Sequence, residues 1–292
     1  MLRHRSYLTE AVFDIQMDVD WLYEKSGLSR LEGALKTGDI AKIEQAFSWI
    51  FKKRILLRTD SSKLRSVAAK RAHEINPVSI LVQKKNYAPV YRPPQRERVR
   101  NRQTGAVSLR GELKPGSIEI NVPSSFIKII QTAIQRRDDA YIDKRLVHPQ
   151  IFRKMFEAGS LKGTIAHELS HWVNDSLNNW AVSIENVRRK RDGLDDSNQM
   201  QAELDAQIHN IAQIKHSLGD AYEAFTWTDL FQTENSLTSN FQVFHRGKPI
   251  TLGPKDFDKM MRRFAQRMRR EGLLTKPMQK LMTRTEFVRG KF

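Results

Sequence analysis

Two histidines and a glutamate stand within a stretch of helical periodicity between positions 161 and 177. His167 and His171 are four residues apart, which places both imidazoles on one face of a helix, one turn from each other. Ile165 and Leu169 put aliphatic side chains on the faces that flank this polar stripe. Because polar groups are costly to bury without partners, the stretch predicts a largely buried helix whose polar face opens to a cleft.

The same spacing lets both imidazoles reach one metal ion, and Glu168 stands where its carboxylate can contact a water on that metal. With 8 histidines in 292 residues, the string His-Glu-x-x-His is expected by chance about 0.01 times per chain. The chain has no cysteine, so any metal must be held by histidines and carboxylates. The pattern therefore favours Zn2+ bound by His167 and His171 over two histidines with ordinary surface or core contacts.

A catalytic zinc site uses three protein ligands and keeps one position for water. The six residues after His171 are Trp-Val-Asn-Asp-Ser-Leu, so no histidine follows at short spacing and we expect a carboxylate from a later helix. Glu203 is the preferred candidate because it lies on a stretch with clear helical periodicity, and Glu223 is the alternative. A solvated ion pair is the other interpretation for each of them.

Zinc with a bound water and a neighbouring carboxylate is an arrangement for hydrolysis, in which Glu168 takes the proton of the water and relays it to the leaving amine. Three later residues are candidates to stabilise the developing oxyanion, with ordinary packing or a surface position as the alternative: His209, His216 and Tyr222. Asp175, one turn after His171, is a candidate to orient a metal ligand.

Helical and strand patterns divide the chain into three regions and predict an α+β protein. Residues 1–75 predict an N-terminal helical region. Residues 76–245 predict a core with a small sheet and the helix that carries the histidines, and residues 246–292 predict a basic helical tail. Within the core, residues 84–103 hold many lysines and arginines without apolar periodicity and predict a basic loop.

Two short β runs follow this loop, at positions 107–109 and 117–122, and a Pro-Gly pair lies between them. Such a pair is typical of a turn, so the two runs predict a hairpin. The second run, with its alternating isoleucines, predicts either the edge of the cleft, where an extended peptide substrate can pair, or an internal strand.

The chain carries 50 lysines and arginines against 33 acidic residues, a net charge of +17. This excess predicts attraction to polyanions at low salt, either nucleic acid or an acidic protein surface, beside the alternative of a solvated basic surface. Tyr87 and Tyr91 are interleaved with basic residues in the predicted loop, a composition able to stack bases. The tail predicts an amphipathic helix that packs on this protein, on a partner or on a membrane surface, and the first is favoured.

No stretch approaches the roughly 18 apolar residues that a membrane span requires. Acidic residues from Glu10 onward occupy the place of an apolar signal core. Together with the absence of cysteine, these features predict a cytoplasmic protein, with association with a virion as a further possibility.

The string from His167 to Asp175, His-Glu-Leu-Ser-His-Trp-Val-Asn-Asp, resembles the active-site helix of the zincin metallopeptidases. A later helix that carries Glu203 resembles their branch called gluzincins. The histidine motif followed by Glu203-Leu-Asp-Ala is similar, more weakly, to uncharacterised zincin-like proteins of tailed bacteriophages. The matched motifs cover about 25 residues.

The resemblance implies a two-lobed α+β fold in which the active helix crosses the floor of a cleft. It also implies that His167 and His171 bind zinc and that Glu168 is the general base. The chain departs from the gluzincin pattern at Gln207, where that branch has an aspartate, so the resemblance does not identify the partner of the first histidine.

Two functions of different classes follow from these observations. The first is a zinc-dependent metallopeptidase that hydrolyses peptide bonds in a peptide or protein substrate, and the presence of Glu168 favours it because a structural metal needs no base. The second is a structural or assembly protein, for example a phage virion component, with a zincin fold and basic surfaces that contact DNA or neighbouring subunits. The excess charge favours this alternative.

Overall fold

Helices dominate the chain, and a small mixed sheet lies among them, so the protein is of the α+β class. The computed structural model describes residues 4–50, 54–56, 61–84, 90–100, 107–122, 124–137, 160–178, 201–233, 243–245, 248–250 and 254–281. The helices are α1 (His4–Ser26), α2 (Leu28–Thr37), α3 (Ile40–Ile50), α4 (Val67–Ile75), α5 (Ser124–Arg136), α6 (Ser160–Leu177), α7 (Gln201–Leu218), α8 (Trp227–Thr233), α9 (Pro254–Arg270) and α10 (Lys276–Leu281). The strands are β1 (Arg54–Leu56), β2 (Val78–Lys84), β3 (Val90–Arg92), β4 (Gln95–Arg100), β5 (Val107–Lys114), β6 (Gly116–Val122), β7 (Val243–His245) and β8 (Lys248–Ile250).

The main sheet has the strand order β1-β2-β6-β3, with β2 and β6 parallel and the outer pairs antiparallel. Ile80 and Ile118 are partners in the central pair, and both are fully buried. The strand at 117–122 is internal at positions 117–119, where β3 pairs with it, and its interpretation as the edge of a cleft is wrong there. Among the described strands, β3 is the outer one on that side of the sheet.

The predicted hairpin between positions 107–109 and 117–122 is also wrong, because β5 pairs with β4 and β6 pairs with β2 and β3. Gly116 explains the error. It begins β6 instead of completing a turn, and a Cβ added there would lie 2.9 Å from the carbonyl oxygen of Arg92. The glycine is thus needed for the close approach of β3. In the sequence alone, a glycine kept for this reason looks the same as a glycine of a turn.

The basic loop predicted at 84–103 contains two strands, β3 and β4, so its description as a loop is wrong. The many arginines and lysines of this segment leave little apolar alternation, because charged side chains can lie on the solvent side of a sheet. The sequence pattern therefore did not indicate strands. Arg92 is an example: its Nε lies 3.0 Å from Oε1 of Glu119 on the neighbouring strand. Tyr91 is buried, so it is not a surface platform for bases, and Tyr87 lies outside the described residues.

Buried apolar side chains form two clusters. The first joins α1–α4 with the main sheet, α5 and α6, and the second joins α7, α8, α9 and α10. The favoured interpretation of the C-terminal basic segment is confirmed for α9, because Met261, Phe264 and Met268 are buried in the second cluster. The first cluster contains residues on both sides of position 75, and the second contains residues on both sides of position 245. The proposed region boundaries stay predictions. None of the helices that are described has the length and apolar character of a membrane span.

The helix α6 spans almost the stretch predicted from the sequence and lies between α1, α4, the main sheet and α7. Trp172 fixes it to the end of α4 by donating a hydrogen bond from Nε1 to the carbonyl oxygen of Asn76, at 2.8 Å. On the opposite side, Gly163 lies against Asn210 of α7, and a Cβ at position 163 would overlap the Asn210 side chain. Gly163 therefore sets how closely α6 and α7 approach.

We expect Gly163→Ala and Gly33→Ala to change stability in opposite directions. Alanine is favoured over glycine in a helix by about 1 kcal/mol, and nothing lies within 4 Å of a Cβ at position 33 of α2, so Gly33→Ala should stabilise the fold. At position 163 the overlap with Asn210 should cost up to about 3 kcal/mol, which exceeds that gain. Urea unfolding of the two variants is the measurement, and equal stabilisation by both would contradict the close contact of α6 with α7.

Candidate metal centre

The imidazoles of His167 and His171 converge on one point beside α6. Their Nε2 atoms are 3.1 Å apart, and the rings meet at 82° with centroids separated by 4.7 Å. This separation is that of a hydrogen bond between the two rings, and two nitrogens this close would both be able to contact one zinc ion at about 2.05 Å. This pair therefore has the geometry of two ligands of one metal ion.

Glu168 is buried on the side of α6 that faces the sheet. Its Oε2 atom accepts a hydrogen bond from the backbone N–H of Tyr91 in β3, the outer strand. Hydrogen bonds from a main-chain amide to a carboxylate are charge-assisted and stronger than neutral ones. The carboxylate next to the histidine pair is thus oriented by the sheet.

Tyr91 also connects the sheet to the end of α6 through its side chain. Its hydroxyl donates to Oδ2 of Asp175 at 3.4 Å and accepts from Nδ2 of Asn76 at 3.0 Å. Burial, and then the charge of Asp175, raise the pKa of Tyr91 well above its usual value, so the hydroxyl keeps its proton. Asp175 is fully buried one turn after His171, and its predicted role in orienting that ligand stays a prediction.

His209 lies on α7 close enough to the histidine pair for its charge state to depend on theirs. Burial, followed by the charges of Arg267, His167 and His171, lowers the pKa of His209 to about 3. The imidazole is therefore neutral at pH 7. Among the described residues its Nδ1 atom has no hydrogen-bond partner, so His209 retains an unused polar atom in the interior.

The two candidates for the third ligand differ in their surroundings. Glu223 is two-thirds exposed, and its Oε1 atom lies 3.8 Å from Nζ of Lys215, which favours a solvated ion pair for that residue. Glu203 belongs to α7, but its side chain lies outside the described ones. Position 203 is seven residues, about two helical turns, before Asn210, and so lies on the side of α7 that contacts α6.

The other predicted helpers have contacts of their own. The hydroxyl of Tyr222 donates to the carbonyl oxygen of Leu273 at 2.8 Å, and burial raises the pKa of this tyrosine. His216 is exposed and lies 3.1 Å from Oδ2 of Asp20. Both therefore serve in joining elements of the fold, and their participation in an oxyanion site stays a prediction.

The described side chains supply two members of the expected ligand set. Among them no group of three histidine, cysteine, aspartate or glutamate residues is arranged to hold a metal ion. A complete zinc site therefore needs a third ligand whose side chain is not among the described ones, and Glu203 meets this condition. Tyr91 is the site residue that sequence reasoning missed, because its position beside Glu168 depends on strand pairing and leaves no spacing signal.

Comparisons with known proteins return no match: no family model, no curated protein and no solved structure is similar to this chain at a significant level. The resemblance to zincins consequently stays a prediction that rests on residues 167–175 and 203–206.

The lowered pKa of His209 predicts that the fold loses stability as the pH falls below about 6.5. In that range the unfolded chain binds a proton at this histidine and the folded one does not, which costs at most about 1.4 kcal/mol per pH unit. Urea unfolding in EDTA at pH 7.5 and 5.5 should show a smaller loss for His209→Leu than for the wild type. The matched control is His216→Leu at an exposed histidine, and an effect equal to that of His209→Leu would contradict the assignment.

Proposed function

We propose that the protein is a zinc-dependent metallopeptidase with a zincin-like centre. In this proposal His167, His171 and Glu203 hold the zinc and Glu168 is the general base. The observation that carries it is the 3.1 Å separation of the two Nε2 atoms, with the buried Glu168 as the next residue along the helix.

Bound zinc supplies a polarised water and a Lewis acid for the scissile carbonyl. The protein supplies the proton transfer: Glu168 accepts a proton from the water and delivers it to the leaving nitrogen. Because Oε2 of Glu168 is held by the Tyr91 amide, Oε1 is the atom that we assign to this transfer. A carboxylate in a fixed orientation loses little entropy when it acts, as a general base requires.

The assignment of Glu203 as the third ligand rests on its position in α7. Position 203 lies on the face of α7 that contacts α6, whereas Glu223 is engaged with Lys215 at the surface. The neutral state of His209 supports the site indirectly, because a charged imidazole beside the histidine pair would repel a cation.

We expect purified protein to contain about one zinc ion per chain, and this ion to be lost in a His167→Ala, His171→Ala double variant. Elemental analysis of protein that has never contacted nickel resin is the measurement. Glu203→Ala should lower the zinc affinity and Glu223→Ala, at an exposed glutamate, should not. Loss of zinc in Glu223→Ala alone would mean that the third ligand is assigned wrongly.

We expect Glu168→Gln to retain zinc and lose at least about 10²-fold in peptide hydrolysis, because the amide preserves the shape of the side chain but cannot take a proton. This loss corresponds to about 2.7 kcal/mol of activation free energy. Digestion of a peptide library by zinc-loaded protein is the measurement, and His167→Ala, which loses both metal and activity, is the control.

Equal turnover by the wild type and Glu168→Gln would contradict the role of the base. Zinc binding without turnover by either protein would favour the second function, a structural or assembly protein that keeps the metal centre.

A further inference from the structure

The outer face of α9 is an arginine surface, and its position in the fold indicates what it binds. Its exposed residues between positions 262 and 270 recur at helical spacing along one stripe: Arg262, Arg263, Gln266, Arg269 and Arg270. The opposite face of the helix is fully used, since Met261, Phe264, Ala265 and Met268 are buried in the second apolar cluster. We call the exposed stripe the α9 arginine face.

α9 carries two aspartates near its start, Asp256 and Asp258, and basic residues dominate the segment that follows them. The sequence from position 261 to position 280 holds a single acidic residue, Glu271. That glutamate pairs with Arg267 on the inner side of α9, with Nε and Oε1 3.3 Å apart and the glutamate side chain 5% exposed. Exposed Lys276, at the start of α10, adds to the positive charge.

The packing of α9 argues against a membrane as the partner. A helix that binds at a membrane surface inserts its apolar side chains among the lipids. The apolar side chains that the structure describes in α9, from Met261 to Met268, are buried in the protein, and the exposed stripe offers arginines and a glutamine. The partner must therefore be recognised by charge and hydrogen bonding alone.

We propose that the α9 arginine face binds the phosphate backbone of nucleic acid, without sequence preference. Guanidinium groups form paired hydrogen bonds with phosphates, and no base-reading element is needed for such binding. The stripe extends about 12 Å along the helix, a length over which duplex DNA carries about seven phosphate charges. The net charge of +17 adds long-range attraction toward a polyanion. This binding does not depend on zinc or on peptide hydrolysis.

The test compares two variants with the same change in net charge, by fluorescence anisotropy with a 20-base-pair DNA duplex across a salt series. Arg263→Gln, Arg269→Gln, Arg270→Gln removes three charges from the α9 arginine face. Lys25→Gln, Lys70→Gln, Arg71→Gln removes three charges from exposed positions on α1 and α4. Each phosphate contact contributes about 0.9 to the slope of log affinity against log salt.

We expect the α9 triple variant to lower the magnitude of this slope by about 2 to 3 and to bind at least about tenfold more weakly at 50 mM salt. The control triple variant should keep most of the slope. If the triple variant does not fold, the single variants Arg263→Gln and Arg270→Gln replace it in the test. Each should lower the magnitude of the slope by about 1.

Three outcomes would overturn the proposal. One is the absence of duplex binding by the wild type at 50 mM salt, and another is an equal loss in the control variant. The third is preference for another polyanion, either polyglutamate, which would indicate an acidic protein partner, or anionic phosphatidylserine vesicles in place of the duplex.

Discussion

The close contact between α6 and α7 determines where the candidate site is built. Gly163 has no side chain, so Asn210 can lie directly against α6, and the two helices pack along much of their length. This approach puts His209 near the histidine pair and puts position 203 on the contacting side of α7. A site made from two helices needs their spacing to be fixed, and here the absence of one side chain fixes it.

The second apolar cluster supports α7 from its other side. Arg267 of α9 approaches Asp205 of α7, with Nη2 and Oδ1 3.6 Å apart, and its charge contributes to keeping His209 neutral. The helix α9 thus has two surfaces with separate roles. Its inner side stabilises the helix that carries the proposed third ligand, and its outer side presents the arginines.

Sequence reasoning identified the helices of the site because their signals are local. Apolar periodicity predicted α6 and most of α7, and the spacing of His167 and His171 gave the geometry of the pair. The errors lie in the sheet, where partners are distant in sequence: Gly116 suggested a turn, although it admits a neighbouring strand. Tyr91 escaped notice for the same reason, since 77 residues separate it from the carboxylate that it binds.

Glu168 and the histidine pair are close together on α6, yet different parts of the fold hold them. The carboxylate is bound to the main chain of β3, whereas the histidines lie toward His209 on α7. A small slide of the sheet along the helix would turn the carboxylate and leave the spacing of the two ring nitrogens unchanged. The hydrogen bond from the amide of residue 91 to Glu168 also does not depend on the side chain at position 91, because every residue except proline has an amide hydrogen. The alignment of the proposed base therefore depends on backbone placement, independently of the proposed metal ligands.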